Sequence, residues 1–233
     1  MEGSLRFSGH WSRLRQQQNA CQRRFMPTLC FGGTFNPIHN GHLRCAQAVA
    51  EKAGYDRVLL IPSAQPPHKQ QAKLAPAADR LAMCRLATAG NALFDVSDIE
   101  TRRTGPSYTV DTATQLLKQG DDGSNWPHNR IPWLIGADML LYLPKWHRPD
   151  ELLRLVHFVI MARPGWTIDW SALPPEFHHL KSRMVEAPLI EISASDIRRR
   201  ICEGLPIDSL VPRVVSTYIS KHGLYLGEDR GCR

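Results

Sequence analysis

Short apolar runs separated by helix-length stretches constrain this chain more than any other feature. Leu29–Phe31, Val58–Ile61, Phe94–Val96, Ile131–Ile135 and Val156–Met161 read as strands. Helical patterns occupy Gly41–Ala53, Ala77–Ala89, Ser107–Gln119 and Met139–Leu143, and two more follow at Ser195–Glu203 and Pro212–His222. Strand-sized runs without polar alternation, flanked by helices, mark parallel strands covered on both faces. The fold class is therefore α/β: a single doubly wound Rossmann-like domain with a mainly parallel sheet and C-terminal helices. None of these runs approaches the roughly 20 residues needed to span a bilayer.

The chain carries a formal charge of +7, which invites a nucleic-acid reading. Its distribution argues against one. Residues 1–25 hold five arginines against one glutamate, a net of +4, which leaves +3 over the other 208 residues. That polar, Arg/Gln-rich stretch lacks the apolar segment of a secretory signal. It is expected to be a disordered basic extension, with residues 26–226 forming the domain and 227–233 a tail. The six cysteines show no C-x-x-C pair and no metal-ligand spacing. Free thiols in a cytoplasmic protein are the expectation, with neither nucleic acid nor membrane as a partner. No feature sets an oligomeric state.

The chemistry concentrates in Phe31-Gly32-Gly33-Thr34-Phe35-Asn36-Pro37-Ile38-His39-Asn40-Gly41-His42, between the first strand and the first helix. A doubly wound sheet places its ligand crevice there. Gly32 and Gly33 permit close backbone approach or a positive φ. Thr34 adds a hydroxyl, and nearby N–H groups can cradle phosphate. His39 and His42, three residues apart at the helix start, can both face one bound anion. An H-x-x-H spacing also suits zinc, but no third ligand stands in register, so no metal site is assigned. Farther on, Ser195 reads as a helix N-cap, with Arg198 one turn inside.

Together, the glycine–histidine string and Ile192-Ser193-Ala194-Ser195-Asp196-Ile197-Arg198 resemble the two signatures of the HxGH nucleotidylyltransferases. Other segments are Pro66-Pro67-His68-Lys69, Ser107-Tyr108-Thr109, Ile135-Gly136-Ala137-Asp138, Pro144-Lys145-Trp146-His147 and Ala162-Arg163-Pro164-Gly165. With them, the chain from about Leu29 to Tyr225 resembles the bacterial nicotinate-nucleotide adenylyltransferases. It departs at Asn36, where many members carry Asp, and at Lys69, where some carry Arg.

The resemblance implies transfer of AMP from ATP to nicotinate mononucleotide, giving deamido-NAD and pyrophosphate, with Mg²⁺ accompanying ATP. It implies His39, His42 and Arg198 as catalytic residues. Gly32, Gly33, Thr34, Phe35, Ser193 and Ser195 complete the ATP site. For the acceptor it implies ring stacking on Trp146, main-chain N–H groups of Thr109 and His147 on the carboxylate, and Asp138 on the ribose. His68, Lys69 and Arg163 are candidates for phosphate. A nicotinamide mononucleotide or pantetheine phosphate acceptor, or a non-enzymatic protein that binds nucleotide or nucleic acid, are the alternatives.

Overall fold

The computed structural model describes residues 28–67, 74–119, 126, 129–165 and 167–227. The expected extension over residues 1–25, all of the 227–233 tail except Gly227, and the candidates His68 and Lys69 lie outside the described residues.

Among the described residues, six strands form one sheet: β1 (Thr28–Gly33), β2 (Arg57–Pro62), β3 (Phe94–Val96), β4 (Ile131–Gly136), β5 (Val156–Ala162) and β6 (Met184–Glu186). Their order is β3-β2-β1-β4-β5-β6, and every neighbouring pair is parallel. Among the described residues, seven α-helices accompany them: α1 (Asn40–Ala53), α2 (Ala77–Thr88), α3 (Thr109–Gln119), α4 (Ala137–Leu140), α5 (Pro149–Leu155), α6 (Ala194–Cys202) and α7 (Arg213–Lys221).

The side chains sort by the two-residue period of a pleated strand. Leu29 and Phe31 of β1, Val58 and Leu60 of β2, Leu134 of β4 and Val159 of β5 enter one core with residues of α1, α2 and α7. Cys30, Ile61, Trp133, Ile135, Phe158 and Ile160 enter the opposite core with residues of α3 and α5. Both faces of these strands are thus apolar, which explains runs without polar alternation.

The five expected strands are present. The sixth, β6, was not expected: its three residues pair only with β5 at the sheet edge. Helix α5 was also missed, although Pro149 opens it and Asp150 and Glu151 occupy its first turn, a composition favoured there. The Ser195 cap is corrected. Ser193 is extended (φ −122°, ψ 142°) and its Oγ accepts from the Asp196 N–H at 3.1 Å, so α6 starts earlier. A cap accepts from the third helical residue, and the S-x-x-D spacing from Ser193 supplies that geometry. Cys30, Cys45 and Cys84 are free thiols, whereas Cys202 is disulfide-bonded, so the expectation of free thiols fails there.

Candidate active site

Strand order reverses between β1 and β4, so the loops leaving their carboxyl ends diverge and open a crevice. A cleft of about 680 Å³ occupies this place. Its walls bring together Gly32, Gly33, Thr34, His39 and His42 from the β1–α1 side with Thr109, Asp138, Trp146, His147 and Arg163 from across the switch point.

The glycines of β1 are required by packing. Neither has a positive φ. A Cβ on Gly32 would lie 2.6 Å from Cζ2 of Trp133, and one on Gly33 would lie 2.9 Å from Cζ of Phe35. Phe35 itself takes a left-handed φ of 45° and sits edge-on to Phe31 and His42, with centroids at 5.4 and 5.1 Å.

The two histidines hold each other. His39 is the N-cap of α1, and its Nδ1 accepts from the His42 N–H at 3.3 Å. In return, His42 Nδ1 accepts from the His39 N–H at 3.3 Å. This is a capping box with imidazoles in place of the usual hydroxyl and carboxyl groups. The rings stack with centroids 3.6 Å apart. A Cβ on Gly41 would lie 3.0 Å from His39 Nδ1, so the intervening glycine keeps that ring in place. Since each Nδ1 accepts, the proton of each neutral ring belongs on Nε2, so each ring is a donor at that atom.

Burial pushes the His39 pKa down from its ordinary 6.5 to about 4. Between those values the folded state binds fewer protons than the unfolded chain. The resulting stability is complete above about pH 6.5 and is lost as pH falls toward 4, by up to about 3 kcal/mol. Denaturant unfolding is expected to show that slope in the wild type and to lose it in His39→Asn, whose amide can keep the cap. Parallel pH profiles for the two proteins would contradict a buried neutral His39.

On the acceptor side, Thr109 is the first residue of α3, where main-chain N–H groups have no partner within the helix. Trp146 is half-buried and edge-on to Phe158 at 6.4 Å, and its Nε1 is buried without a hydrogen-bond partner. His147 stacks on Tyr108 with centroids 4.1 Å apart. Asp138 is exposed in the first turn of α4, with Oδ1 packed over the Cα of Gly136. Arg163 is exposed just after β5.

Ser193, Ser195, Phe35 and Arg198 are not part of the cleft wall. Arg198 turns inward: its Nη1 donates to the Asn36 carbonyl at 2.9 Å, and burial lowers its pKa. Its neighbours Arg199 and Arg200 instead pair with Asp196 on the exposed face. Asn36 supports the turn, since its Oδ1 accepts from the Ala75 N–H and the Tyr225 hydroxyl, both at 3.0 Å. The acceptor that Asp would supply is therefore retained.

Sequence reasoning missed Glu100 and Arg80. Glu100 reaches the cleft wall although it is only 4% exposed. Its Oε1 accepts from Thr112 at 2.7 Å, and burial raises its pKa although Thr112, Ser107, Arg103 and Arg80 all favour its charged form. Arg80 shares the buried face of α2 with Met83, Cys84 and Thr88, and a cation on that stripe was the available signal.

A family model described as cytidylyltransferase-like matches residues 30–200. The chain belongs to this class of nucleotidyltransferases. A "Probable nicotinate-nucleotide adenylyltransferase" of Thermomicrobium roseum is 43% identical over 197 residues, spanning 84% of this chain and 89% of the relative. One of the same description from Herpetosiphon aurantiacus is 44% identical over 198 residues, spanning 84% and 96%. Within the class, the chain is a member of the nicotinate-nucleotide adenylyltransferase family. The fold matches that of Plasmodium falciparum nicotinic acid mononucleotide adenylyltransferase complexed with NaAD, with a TM-score of 0.64 at 19% identity, covering 85% of this chain and 97% of that one.

Proposed function

We infer that the chain transfers AMP from ATP to nicotinate mononucleotide, releasing pyrophosphate and deamido-NAD, a step in NAD biosynthesis. The observation that carries this reading is one cleft with unlike ends. Paired imidazole Nε2–H donors at the start of α1 suit phosphates. Trp146, with the first-turn amides of α3, suits an aromatic ring bearing a carboxylate.

The acceptor phosphate is already ionised at neutral pH, so its attack needs no strong base. An oxygen of that phosphate forms a bond to the α-phosphorus as the bond to the α–β bridging oxygen breaks, and pyrophosphate departs with that electron pair. The protein's part is alignment and charge stabilisation. His39 and His42 donate to the phosphates, while Thr34 and the strand end at Gly32 and Gly33 line the nucleotide side. Arg198 steadies the turn through Asn36 and adds positive potential behind it. Arg163 supplies an exposed cation for the acceptor phosphate, and Asp138 accepts from ribose hydroxyls.

Among the described residues, no three His, Cys, Asp or Glu side chains group to hold a metal ion. Mg²⁺ would enter with ATP, held mainly by the triphosphate. Bound there, it would neutralise charge on the departing pyrophosphate. Among the described residues, no helix is long and apolar enough to cross a membrane. A cytoplasmic setting suits soluble mononucleotide substrates.

Purified protein given ATP, Mg²⁺ and nicotinate mononucleotide is expected to form deamido-NAD and pyrophosphate in equal amounts. Pyrophosphate or AMP formed without dinucleotide would overturn the reading.

A further inference from the structure

Arg80 is 1% exposed, a cation inside the protein with no salt bridge to a described residue. Its guanidinium is spent on main-chain carbonyls. Nε donates to Ala75 at 2.9 Å, Nη1 to Thr34 at 2.7 Å and Ser63 at 2.6 Å, and Nη2 to Ala64 at 3.1 Å. The buried carboxylate of Glu100 acts on this charge from beyond ion-pair contact, so the guanidinium's direct partners are all main-chain, and a planar fork of donors suits carbonyls that converge from several segments.

Ser107 holds the same segment from its opposite side. Its Oγ accepts from the N–H groups of Ala64 and Gln65 at 3.0 and 3.1 Å, and its own N–H donates to the Gln65 carbonyl at 2.9 Å. The carbonyls of residues 63 and 64 therefore run to Arg80, and the next amides run to Ser107. Three segments are joined in this way: the β1–α1 loop through Thr34, the loop after β2 through Ser63–Gln65, and the approach to α3 through Ser107, two residues before Thr109.

Resting on the functional reading above, we propose that Arg80 and Ser107 are positioning residues that fix the spacing between the nucleotide end and the acceptor end of the cleft. Arg80 lies outside the cleft wall; Ser107 lines it beside Thr109, and its role here is the bonds to the 64–65 amides. Their removal leaves each half-site able to bind and spoils the alignment of the reacting phosphates.

The test compares R80K, which keeps charge but not the fork, with S107A, which loses the hydroxyl that accepts from both amides and bonds Glu100. ATP and nicotinate mononucleotide are titrated separately by calorimetry, and kcat is measured per folded molecule. Dissociation constants are expected to stay within about threefold of wild type, while kcat falls ~100-fold in R80K and ~10-fold in S107A. A kcat within about threefold of wild type in both, or weakened binding with kcat unchanged, overturns the proposal. Should R80K fail to fold, S107A decides by the same criteria. Wild-type turnover is the control: its absence defeats the functional reading, and its presence beside unaffected variants defeats the positioning role alone.

Discussion

His42→Ala is expected to lower kcat by roughly 10²–10³, the usual cost of removing one preorganised donor from a developing charge. The capping box fixes the proton of His42 on Nε2, so the ring is oriented before substrate arrives. Alanine removes both the donor and one half of the cap. The two losses can be separated with His42→Gln, because glutamine at the third helical position can still reach the N-cap amide. Glutamine is expected to preserve the unfolding free energy while leaving kcat well below wild type. Near-normal turnover in either variant would remove His42 from catalysis.

The largest stability effect is expected at Asn36. Two buried donors, the Ala75 N–H and the Tyr225 hydroxyl, converge on its Oδ1. Asn36→Ala orphans both inside the core, at roughly 1–3 kcal/mol each, so unfolding free energy should fall by about 2–6 kcal/mol. Asn36→Asp keeps an acceptor for both and is expected to stay within about 1 kcal/mol of wild type. Denaturant midpoints check both figures. An alanine variant as stable as the wild type would mean that the link from the β1–α1 turn to Tyr225 contributes nothing to the fold.

The strands were legible because β1, β2, β4 and β5 are apolar on both faces, and such runs stand out from single residues upward. The capping of α6 was misplaced by two residues, since Ser193 and Ser195 are both good caps and only the backbone at Ser193 decides between them. The need for glycine at position 32 is long-range: it comes from Trp133, about a hundred residues away, and leaves no local mark. The two histidines were legible as a pair, but their mutual hydrogen bonds, and the burial that keeps His39 neutral, required coordinates. Arg80 lay hidden because its partners are main-chain carbonyls, which carry no residue identity for a pattern to reveal.

Acceptor choice tests the central claim most directly. With ATP and Mg²⁺ saturating, kcat/KM is measured for nicotinate mononucleotide and for nicotinamide mononucleotide on the same preparation. Recognition of a carboxylate by first-turn amides of α3 beside Trp146 predicts a clear preference for nicotinate, by about tenfold or more, since a neutral amide forgoes the charge-assisted bonds. Equal use of both acceptors, or a preference for nicotinamide, would contradict it.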